Sequence, residues 1–311
     1  MPRYAAIDIG TNTVLLSVAD HDGRRLHPVI GRSIIARLGQ GLDASGTLRP
    51  EAIERAIEAL GSHLAEARAA GALKTAVVGT AALREARNAD RFLAEARRRF
   101  DIDVQVISGD EEARLAFLAV ARDREERGDE GAGSPVVMDI GGGSTEFIIG
   151  RGATVEALHS LPIGSVRLTE RFLAGDPVRP EEVEALRAHV RETLAALPVP
   201  SGEDLELTGV AGTNTTLAAM KAKILVYDAA ALCRVRLSVA DLDEQIRTLL
   251  ALGIAERKKL PGLEPGRADV ILAGAMIARE GLARFGVSTM AISDRGVRHG
   301  VIYGLAGEGS P

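Results

Sequence analysis

A glycine-rich turn between two apolar runs constrains this sequence more than any other feature. The runs span residues 136–140 and 145–150, and runs of this length bounded by glycine predict a β-hairpin. The turn itself reads Gly141-Gly142-Gly143-Ser144-Thr145. Successive glycines leave the backbone bare, so its N–H groups can point together at an anion such as phosphate, and the two hydroxyl groups add further donors.

Carboxylates stand at both ends of this turn. Asp139 ends the first predicted strand and Glu146 opens the second, so we expect them to face each other. Mg²⁺ is held in proteins by hard oxygen ligands of this kind, with phosphate and water completing its shell. The stretch therefore predicts a phosphate site with a magnesium ion. A glycine-rich hairpin with two solvated acids is the alternative.

A second copy of this pattern lies near the N-terminus. Asp8 aligns with Asp139 and Thr13 with Ser144, and Asn12 belongs to the same short polar turn as Thr13. Asp8 is accordingly a further candidate metal ligand, and Asn12 and Thr13 are candidate phosphate ligands. A duplicated strand, turn and strand predicts two similar halves that face each other, with a ligand in the cleft between the turns.

This duplication resembles the actin-like, sugar-kinase-like superfold, which is related to ribonuclease H. We therefore predict an α/β fold made of two half-domains around a cleft. The P-loop signature is absent, and no Gly-x-Gly-x-x-Gly follows a strand, so the two commoner phosphate-binding designs are disfavoured.

Two arginines are candidate phosphate ligands. Arg37 lies between an apolar run and a flexible Gly-x-Gly turn, where it is either a ligand or a surface arginine. Arg84 follows a predicted buried strand, on a short helix that Thr80 is expected to cap. Ligands collect at the carboxyl ends of strands in open α/β sheets, so Arg84 is well placed to bind phosphate. A salt bridge to Glu85 or Asp110 is the alternative.

Glu112 is the candidate general base. Ser108 and Glu111 fit a capping box, in which the glutamate turns back to the amide of the N-cap residue. Glu112 is then left free in the first turn of a helix that leaves a strand's carboxyl end, where a base directed at a bound phosphate is expected. A surface glutamate at the start of a helix is the alternative.

A further anion site is predicted after the strand Leu205–Val210. Gly212 and Thr213 belong to a turn rich in glycine and hydroxyl groups, ahead of a helix predicted over Leu217–Leu225. The N-terminus of such a helix binds anions through its backbone amides. Alternatively, Thr213 only caps the helix.

The chain is long enough for two domains, and its composition limits its partners. The 311 residues include 46% hydrophobic residues, which is enough for two cores. The charged segment Arg122–Ser134 predicts an exposed connector, with one half-domain over 1–126 plus 296–311 and another over 135–295. The net charge of −5 argues against a broad surface for nucleic acid.

Cysteine content and hydropathy predict the compartment. Cys233 is the one cysteine, which favours a reducing environment. The sequence shows neither a signal peptide nor an apolar run of the ~20 residues that span a bilayer. We therefore expect a cytoplasmic protein that has no membrane partner.

Seven motifs, taken in their order, identify a family. They read Asp8-Ile-Gly-Thr-Asn-Thr, Thr80-Ala-Ala-Leu-Arg84, Ile107-Ser-Gly-Asp-Glu-Glu112-Ala-Arg, Asp139-Ile-Gly-Gly-Gly-Ser-Thr-Glu146, Gly209-Val-Ala-Gly-Thr-Asn-Thr-Thr, Arg267-Ala-Asp-Val-Ile and Ser293-Asp-Arg-Gly-Val-Arg298. Together they resemble the exopolyphosphatase and guanosine pentaphosphate phosphatase family, and the resemblance spans nearly the whole chain.

The resemblance implies a mechanism and a set of site residues. It implies that water releases the terminal phosphate of inorganic polyphosphate, with Glu112 as the catalytic residue. Asp139 and Glu146 match the family's Mg²⁺-site carboxylates, and Mn²⁺ is an alternative ion. Arg84 and the two loops of glycine and hydroxyl residues match its phosphate binders. A homodimer is expected, and the long helical extension of larger members has no counterpart here, so shorter polyphosphates are the expected substrates.

Three other functions are compatible with this pattern. Hydrolysis of the 5′ γ-phosphate of guanosine pentaphosphate (pppGpp) uses the same chemistry. An ATP-dependent kinase of the same superfold is a more distant reading and requires an adenosine pocket. A sensor that binds polyphosphate or nucleotide without turnover is the non-enzymatic alternative.

Overall fold

The structure divides into two compact units. The computed structural model describes residues 1–128, 134–151, 154–200 and 205–307. Unit 1 consists of Met1–Gly128 with Arg295–Pro311, and unit 2 of Asp129–Asp294. None of the helices in the described ranges is both long enough and apolar enough to cross a membrane.

Unit 1 begins with three antiparallel strands and continues with alternating helices and strands. Its elements before the crossing to unit 2 are β1 Arg3–Ile9, β2 Thr13–His21, β3 Leu26–Ile35, α1 Leu42–Ser45, α2 Pro50–Ala69, β4 Lys74–Gly79, α3 Ala81–Glu85, α4 Ala89–Phe100, β5 Gln105–Val106 and α5 Gly109–Arg127.

Unit 2 repeats this plan and adds helices. Its elements are β6 Ser134–Ile140, β7 Thr145–Arg151, β8 Thr154–Leu161, α6 Ser165–Phe172, α7 Pro180–Ala195, β9 Leu205–Val210, α8 Ala211–Ala222, α9 Ala229–Leu232, β10 Arg236–Ser238, α10 Val239–Leu250, α11 Ile254–Arg257, the 3-10 turn Pro265–Arg267, α12 Ile271–Phe285 and β11 Thr289–Ile292. The last helix, α13 Val297–Leu305, belongs to unit 1.

The two sheets have the same strand order. In unit 1 the order is β3-β2-β1-β4-β5, and in unit 2 it is β8-β7-β6-β9-β11 with β10 added at the edge. In unit 1, β1 pairs antiparallel with β2 and parallel with β4. In unit 2, β6 pairs antiparallel with β7 and parallel with β9 in the same way. The predicted duplicated α/β fold is therefore confirmed.

The duplication extends to single hydrogen bonds in the two hairpin turns. We call residues 10–13 turn 1 and residues 141–144 turn 2. The amide of Gly10 donates to the carbonyl oxygen of Thr13 at 3.0 Å, and the amide of Gly141 donates to that of Ser144 at 3.0 Å. This is the same offset that aligns Asp8 with Asp139. Both predicted hairpins and their alignment are confirmed.

Alternation along β1 decides which way Asp8 points. Ala5, Ile7 and Ile9 pack into the core that α2 and α4 cover, whereas Ala6 packs into a second core with residues of α5 and α13. Successive side chains of a strand point to opposite faces, so Asp8 shares the face of Ala6. Its carboxyl group therefore lies on the side of the sheet that α5 and α13 cover.

The same rule places the acids of unit 2. Val136, Met138 and Phe147 belong to the large core that α7, α8, α10 and α12 share. Asp139 follows Met138 and Glu146 precedes Phe147, so both carboxylates lie on the opposite face of the sheet from that core.

Two helices begin or end at other residues than the sequence predicts. The predicted connector Arg122–Ser134 is helical through Arg127, where i to i+4 pairing of Asp123 with Arg127 at 2.6 Å supports a charged helix. Gly128 ends this helix, and residues 129–133 of the segment lie outside the described residues. The helix predicted over Leu217–Leu225 spans Ala211–Ala222, because it begins directly where β9 ends.

Close packing of α13 on α5 generates a stability prediction. A Cβ atom on Gly300 would lie 2.3 Å from the backbone oxygen of Leu115. We expect Gly300→Ala to lower the free energy of unfolding by about 1–3 kcal/mol, because backbone must move to admit the methyl group. Urea denaturation of the variant and the wild type measures this loss.

Gly304 provides the matched control in the same helix. A Cβ atom there would meet nothing within 4 Å, so Gly304→Ala should be neutral or stabilising by up to about 1 kcal/mol, as expected for alanine in a helix. Equal changes in the two variants would show that the close approach of α13 and α5 does not limit stability.

Candidate active site

Arg84 and Glu112 form an ion pair at the carboxyl end of the unit 1 sheet. Nη1 of Arg84 donates to Oε2 of Glu112 at 3.0 Å and to the carbonyl oxygen of Ile107 at 3.0 Å. The two side chains keep 25% and 13% exposure, so Glu112 is neither free nor a surface glutamate. Neither Glu85 nor Asp110 pairs with Arg84 among the described residues, which rules out the salt bridges considered from the sequence.

The starts of α3 and α5 bring these two side chains together. Both helices begin where the neighbouring parallel strands β4 and β5 end. Ser108 caps α5, since its hydroxyl accepts from the amide of Glu111 at 3.1 Å, but the reciprocal bond of the predicted capping box is not formed. Thr80 occupies the N-cap position of α3 without a side-chain cap bond, so that part of the prediction is wrong.

Asp8 adds a second carboxyl group to this region. Its Oδ1 is buried and makes no hydrogen bond with the described residues. Burial, and next the negative charge of Glu112, raise the pKa of Asp8 to about 7, while Arg298 opposes the shift. Burial also raises the pKa of Glu112, and Arg84 offsets part of that shift. The charges of Glu112 and Arg298 thus shift the pKa of Asp8, and the charge of Arg84 shifts that of Glu112.

Turn 1 lies at the end of the strand that carries Asp8. The carbonyl oxygen of Asn12 accepts from the amides of Ala36 and Arg37, at 3.0 and 2.9 Å. Arg37 has a φ of 52°, a left-handed conformation that is uncommon for a residue other than glycine. The amides of Thr11 and Asn12 donate to no acceptor in the described chain, so they can receive an anion.

Turn 2 is held from one side by the first turn of α6. The carbonyl oxygens of Gly141 and Gly142 accept from the first amides of α6 at 3.0 and 2.9 Å, and that of Gly143 accepts from Nε of Arg167 at 2.7 Å. In a planar trans peptide the following N–H points away from the carbonyl. The amides of Gly142 and Gly143 therefore face away from α6, and neither has an acceptor among the described residues.

The hydroxyl groups of turn 2 differ in their use. Ser144, the last residue of turn 2, is buried, and it remains a candidate phosphate ligand. Thr145 is fully buried, and its hydroxyl donates to the carbonyl oxygen of Ile163. That proton is therefore not available to a phosphate, contrary to the role assigned to Thr145 from the sequence. Turn 2 can approach α6 this closely only because residue 164 is a glycine. A Cβ atom there would lie 2.3 Å from the carbonyl oxygen of Gly142.

Asp139 and Glu146 are directly paired across β6 and β7. Side chains at paired positions of antiparallel strands lie on the same face, with Cβ atoms about 5 Å apart. Both residues are buried, and Oε1 of Glu146 accepts a hydrogen bond from the hydroxyl of Ser160 at 2.8 Å. The two carboxylates thus face each other, as the sequence predicts.

These acids fit a magnesium ion as a partial ligand set. Among the described residues, no group of three or more His, Cys, Asp or Glu side chains forms a complete metal site. Mg²⁺ does not need one, because it is usually bound through one or two carboxylates together with water and substrate phosphate. The pair Asp139 and Glu146 of unit 2 meets that requirement.

Gly212 and Thr213 lie in the first turn of α8, whose N-cap residue is Val210. The alternative that Thr213 caps the helix is therefore wrong. Arg267 approaches this turn closely, since a Cβ atom on Gly212 would lie 2.6 Å from two of its guanidinium nitrogens. The first turn of α8 thus has a cation beside it.

Arg167, Arg267 and Arg298 are the residues of these sites that the sequence reasoning did not select. Arg167 and Arg298 stand in the first turns of α6 and α13. Cations are disfavoured there by the helix dipole, so an arginine at the start of a helix is a signal that could have found both. Arg267 lies in a 3-10 turn, and its sequence signal was its place at the start of the motif Arg267-Ala-Asp-Val-Ile.

Family membership follows from comparison with known proteins. The sequence profile of the Ppx/GppA phosphatase family matches residues 17–308. The chain belongs to that family.

Individual relatives cover the whole length of the chain. Exopolyphosphatase 2 of Mycobacterium tuberculosis is 39% identical, over 99% of this chain and 99% of that protein. The guanosine-5'-triphosphate,3'-diphosphate pyrophosphatase of Aeromonas hydrophila is 31% identical, over 98% of this chain and 60% of that protein. The crystal structure of the Aquifex aeolicus family member matches with a TM-score of 0.82 at 33% identity, over 99% of each chain.

The raised pKa of Asp8 generates a prediction about stability and pH. The pKa is about 7 in the folded chain, against an ordinary value of 3.8, so between these pH values the folded state keeps a proton that the unfolded chain has lost. The free energy of unfolding should therefore fall as pH rises from about 4 to about 7, by up to about 4 kcal/mol.

The variant Asp8→Asn isolates this effect, because it cannot titrate. Urea denaturation of both proteins across this range, with a chelator present to remove divalent cations, should show a smaller loss of stability in the variant. Parallel profiles would contradict the shifted pKa of Asp8.

Proposed function

We propose that this protein is an exopolyphosphatase, which uses water to hydrolyse the terminal phosphoanhydride bond of inorganic polyphosphate. The ion pair of Arg84 with Glu112 beside Asp8 is the observation that carries the proposal. It supplies a carboxylate with a raised pKa and an arginine at the end of the strands where ligands collect. Membership of the family and the 39% identity to an exopolyphosphatase support the same substrate.

In the proposed mechanism, Glu112 acts as general base. It orients a water molecule and accepts its proton while the water oxygen attacks the terminal phosphorus, and the shortened chain leaves as phosphate is released. A raised pKa suits this role, because a base works best when its pKa lies near the working pH. Arg84 holds Glu112 through Nη1, and its other nitrogens make no hydrogen bond in the described chain, so they can bind phosphate oxygens.

In this proposal each unit has a backbone turn that can bind phosphate oxygens. The amides of Thr11 and Asn12 in turn 1, and of Gly142 and Gly143 in turn 2, present N–H groups to an anion. We assign Asp139 and Glu146 of unit 2 to Mg²⁺, or to Mn²⁺, and Asp8 of unit 1 stays a separate candidate metal ligand. A bound ion of this kind would offset the negative charge of the phosphate oxygens.

Loss of the base tests the role of Glu112. Glu112→Gln should lower kcat for phosphate release from polyphosphate by about 10²- to 10⁴-fold, because the amide cannot accept the proton, while substrate still binds. Glu111→Gln is the matched control, since the neighbouring carboxylate is exposed and should leave kcat unchanged. Turnover near the wild-type rate in Glu112→Gln would exclude the assigned role.

Titration with Mg²⁺ tests the metal ligands. Asp139→Ala and Glu146→Ala should each require a higher Mg²⁺ concentration for half-maximal activity, by about 10-fold or more, because a carboxylate ligand is lost. Glu156→Gln is a suitable control, as this glutamate of β8 is paired with Arg151. Mg²⁺ titrations that match the wild type in both alanine variants would contradict the assignment.

Hydrolysis of pppGpp is the second candidate function, favoured by the 31% identity to the Aeromonas hydrophila pyrophosphatase. The two activities share their chemistry, so phosphate release must be compared side by side on polyphosphate and on pppGpp. A higher kcat/KM on pppGpp would reverse the order of our proposals. The cytoplasmic location and the homodimer stay predictions, and sedimentation of the purified protein tests the dimer.

A further inference from the structure

A loop of unit 1 leads away from turn 1. We call residues 36–46 the α1 loop, because they include that short helix. The amide of Arg37 donates to the carbonyl oxygen of Asn12 at 2.9 Å. The amide of Gly39 donates to that of Thr11, also at 2.9 Å. A ligand held at turn 1 therefore has the α1 loop directly beside it.

Two exposed guanidinium groups lie against the two ends of α1. A Cβ atom on Gly41, before the helix, would lie 2.6 Å from Nη2 of Arg49, and one on Gly46, after it, would lie 2.8 Å from Nη1 of Arg87. Nη2 of Arg87 also donates to the carbonyl oxygen of Ser45 at 2.8 Å. Five helical steps separate the two glycines by about 7.5 Å, so the guanidinium groups flank the helix at roughly this spacing.

Several arginines elsewhere in unit 1 are paired with carboxylates. Arg98, for example, pairs with Glu95 at 2.5 Å. Neither Arg49 nor Arg87 forms an ion pair with a described residue, and the guanidinium group of Arg49 makes no hydrogen bond there either. Asp43 on α1 has interactions of its own. Two positive charges are therefore presented next to turn 1 without a carboxylate bound to them.

We propose that Arg49 and Arg87 form a distal subsite that binds inorganic polyphosphate beyond the phosphates held at turn 1. A single phosphate cannot reach both ends of α1, whereas a polyphosphate chain carries negative charge along its length and can contact both guanidinium groups. The inference rests on the proposed function, because turn 1 must hold the terminal part of the same chain. The subsite makes KM depend on the number of phosphates in the substrate.

Substrates of two lengths test the subsite. Arg49→Gln and Arg87→Gln should each raise KM for long-chain polyphosphate by about 5-fold, and together by about 10- to 30-fold, with kcat unchanged. KM for tripolyphosphate, which is too short to reach from turn 1 to the guanidinium groups at both ends of α1, should rise less than KM for the long chain in every variant, and should stay within about 2-fold in Arg87→Gln.

Arg98→Gln is the matched control, because it removes the same charge from unit 1 and should leave both KM values unchanged. Arg87→Gln also breaks the bond to Ser45, so thermal unfolding of each variant is measured alongside. Arg49→Gln breaks no hydrogen bond, and a rise in its KM therefore reports the lost charge. Arg87→Lys, which keeps the charge, should recover part of the affinity.

The possible results distinguish failure of the distal subsite from failure of the proposed function. If the wild type hydrolyses both substrates and the double variant keeps the wild-type ratio of KM values, the subsite is refuted and the proposed function stands. If the wild type releases phosphate from neither substrate, the proposed function fails. In that case, direct titration with long-chain polyphosphate decides the subsite, since equal affinity of wild type and double variant refutes it.

Discussion

Buried charge is the constraint on which the rest of unit 1 depends. Asp8 and Glu112 are close enough for the charge of one to raise the pKa of the other. An uncompensated carboxylate in such a place costs several kcal/mol, so the arrangement requires cations fixed nearby. Arg84 pairs directly with Glu112, and Arg298 acts on Asp8. The cation from α13 reaches this region only because the end of the chain returns to unit 1.

Unit 2 has the same order of strands as unit 1, but its acidic side chains are arranged differently. Turn 2 repeats the backbone hydrogen bond that closes turn 1. Its carbonyl oxygens accept hydrogen bonds from the first residues of α6, so its amides point away from that helix. The two acids of unit 2 face each other across neighbouring strands. Unit 1 thus carries the proposed base on α5, and unit 2 carries the glycine turn with its carboxylate pair.

The net charge of −5 does not show how the positive charges of the arginines are distributed. Many arginines of the chain pair with surface carboxylates, as Arg98 does with Glu95, and such exposed pairs contribute little to stability. Arg87, in contrast, donates to the backbone carbonyl oxygen of Ser45 and lies against Gly46. Backbone contacts fix the position of a guanidinium group without neutralising it. A protein of negative net charge can therefore still offer local positive charge to a polyanion.

Local sequence pattern by itself determined the hairpins, their duplication, the α/β fold and the choice of Glu112 and Arg84 as candidates. These features depend on glycine runs, alternation and strand ends, all of which are encoded within a few neighbouring residues. Only the tertiary structure decided that Arg84 forms an ion pair with Glu112 and that the charge of Arg298 lowers the pKa of Asp8. It also decided that the hydroxyl of Thr145 donates to the carbonyl oxygen of Ile163. It also decided that α5 continues into the predicted connector. The physical reason is that such contacts join residues far apart in the chain, and their distances follow from how helices and strands pack rather than from any local pattern.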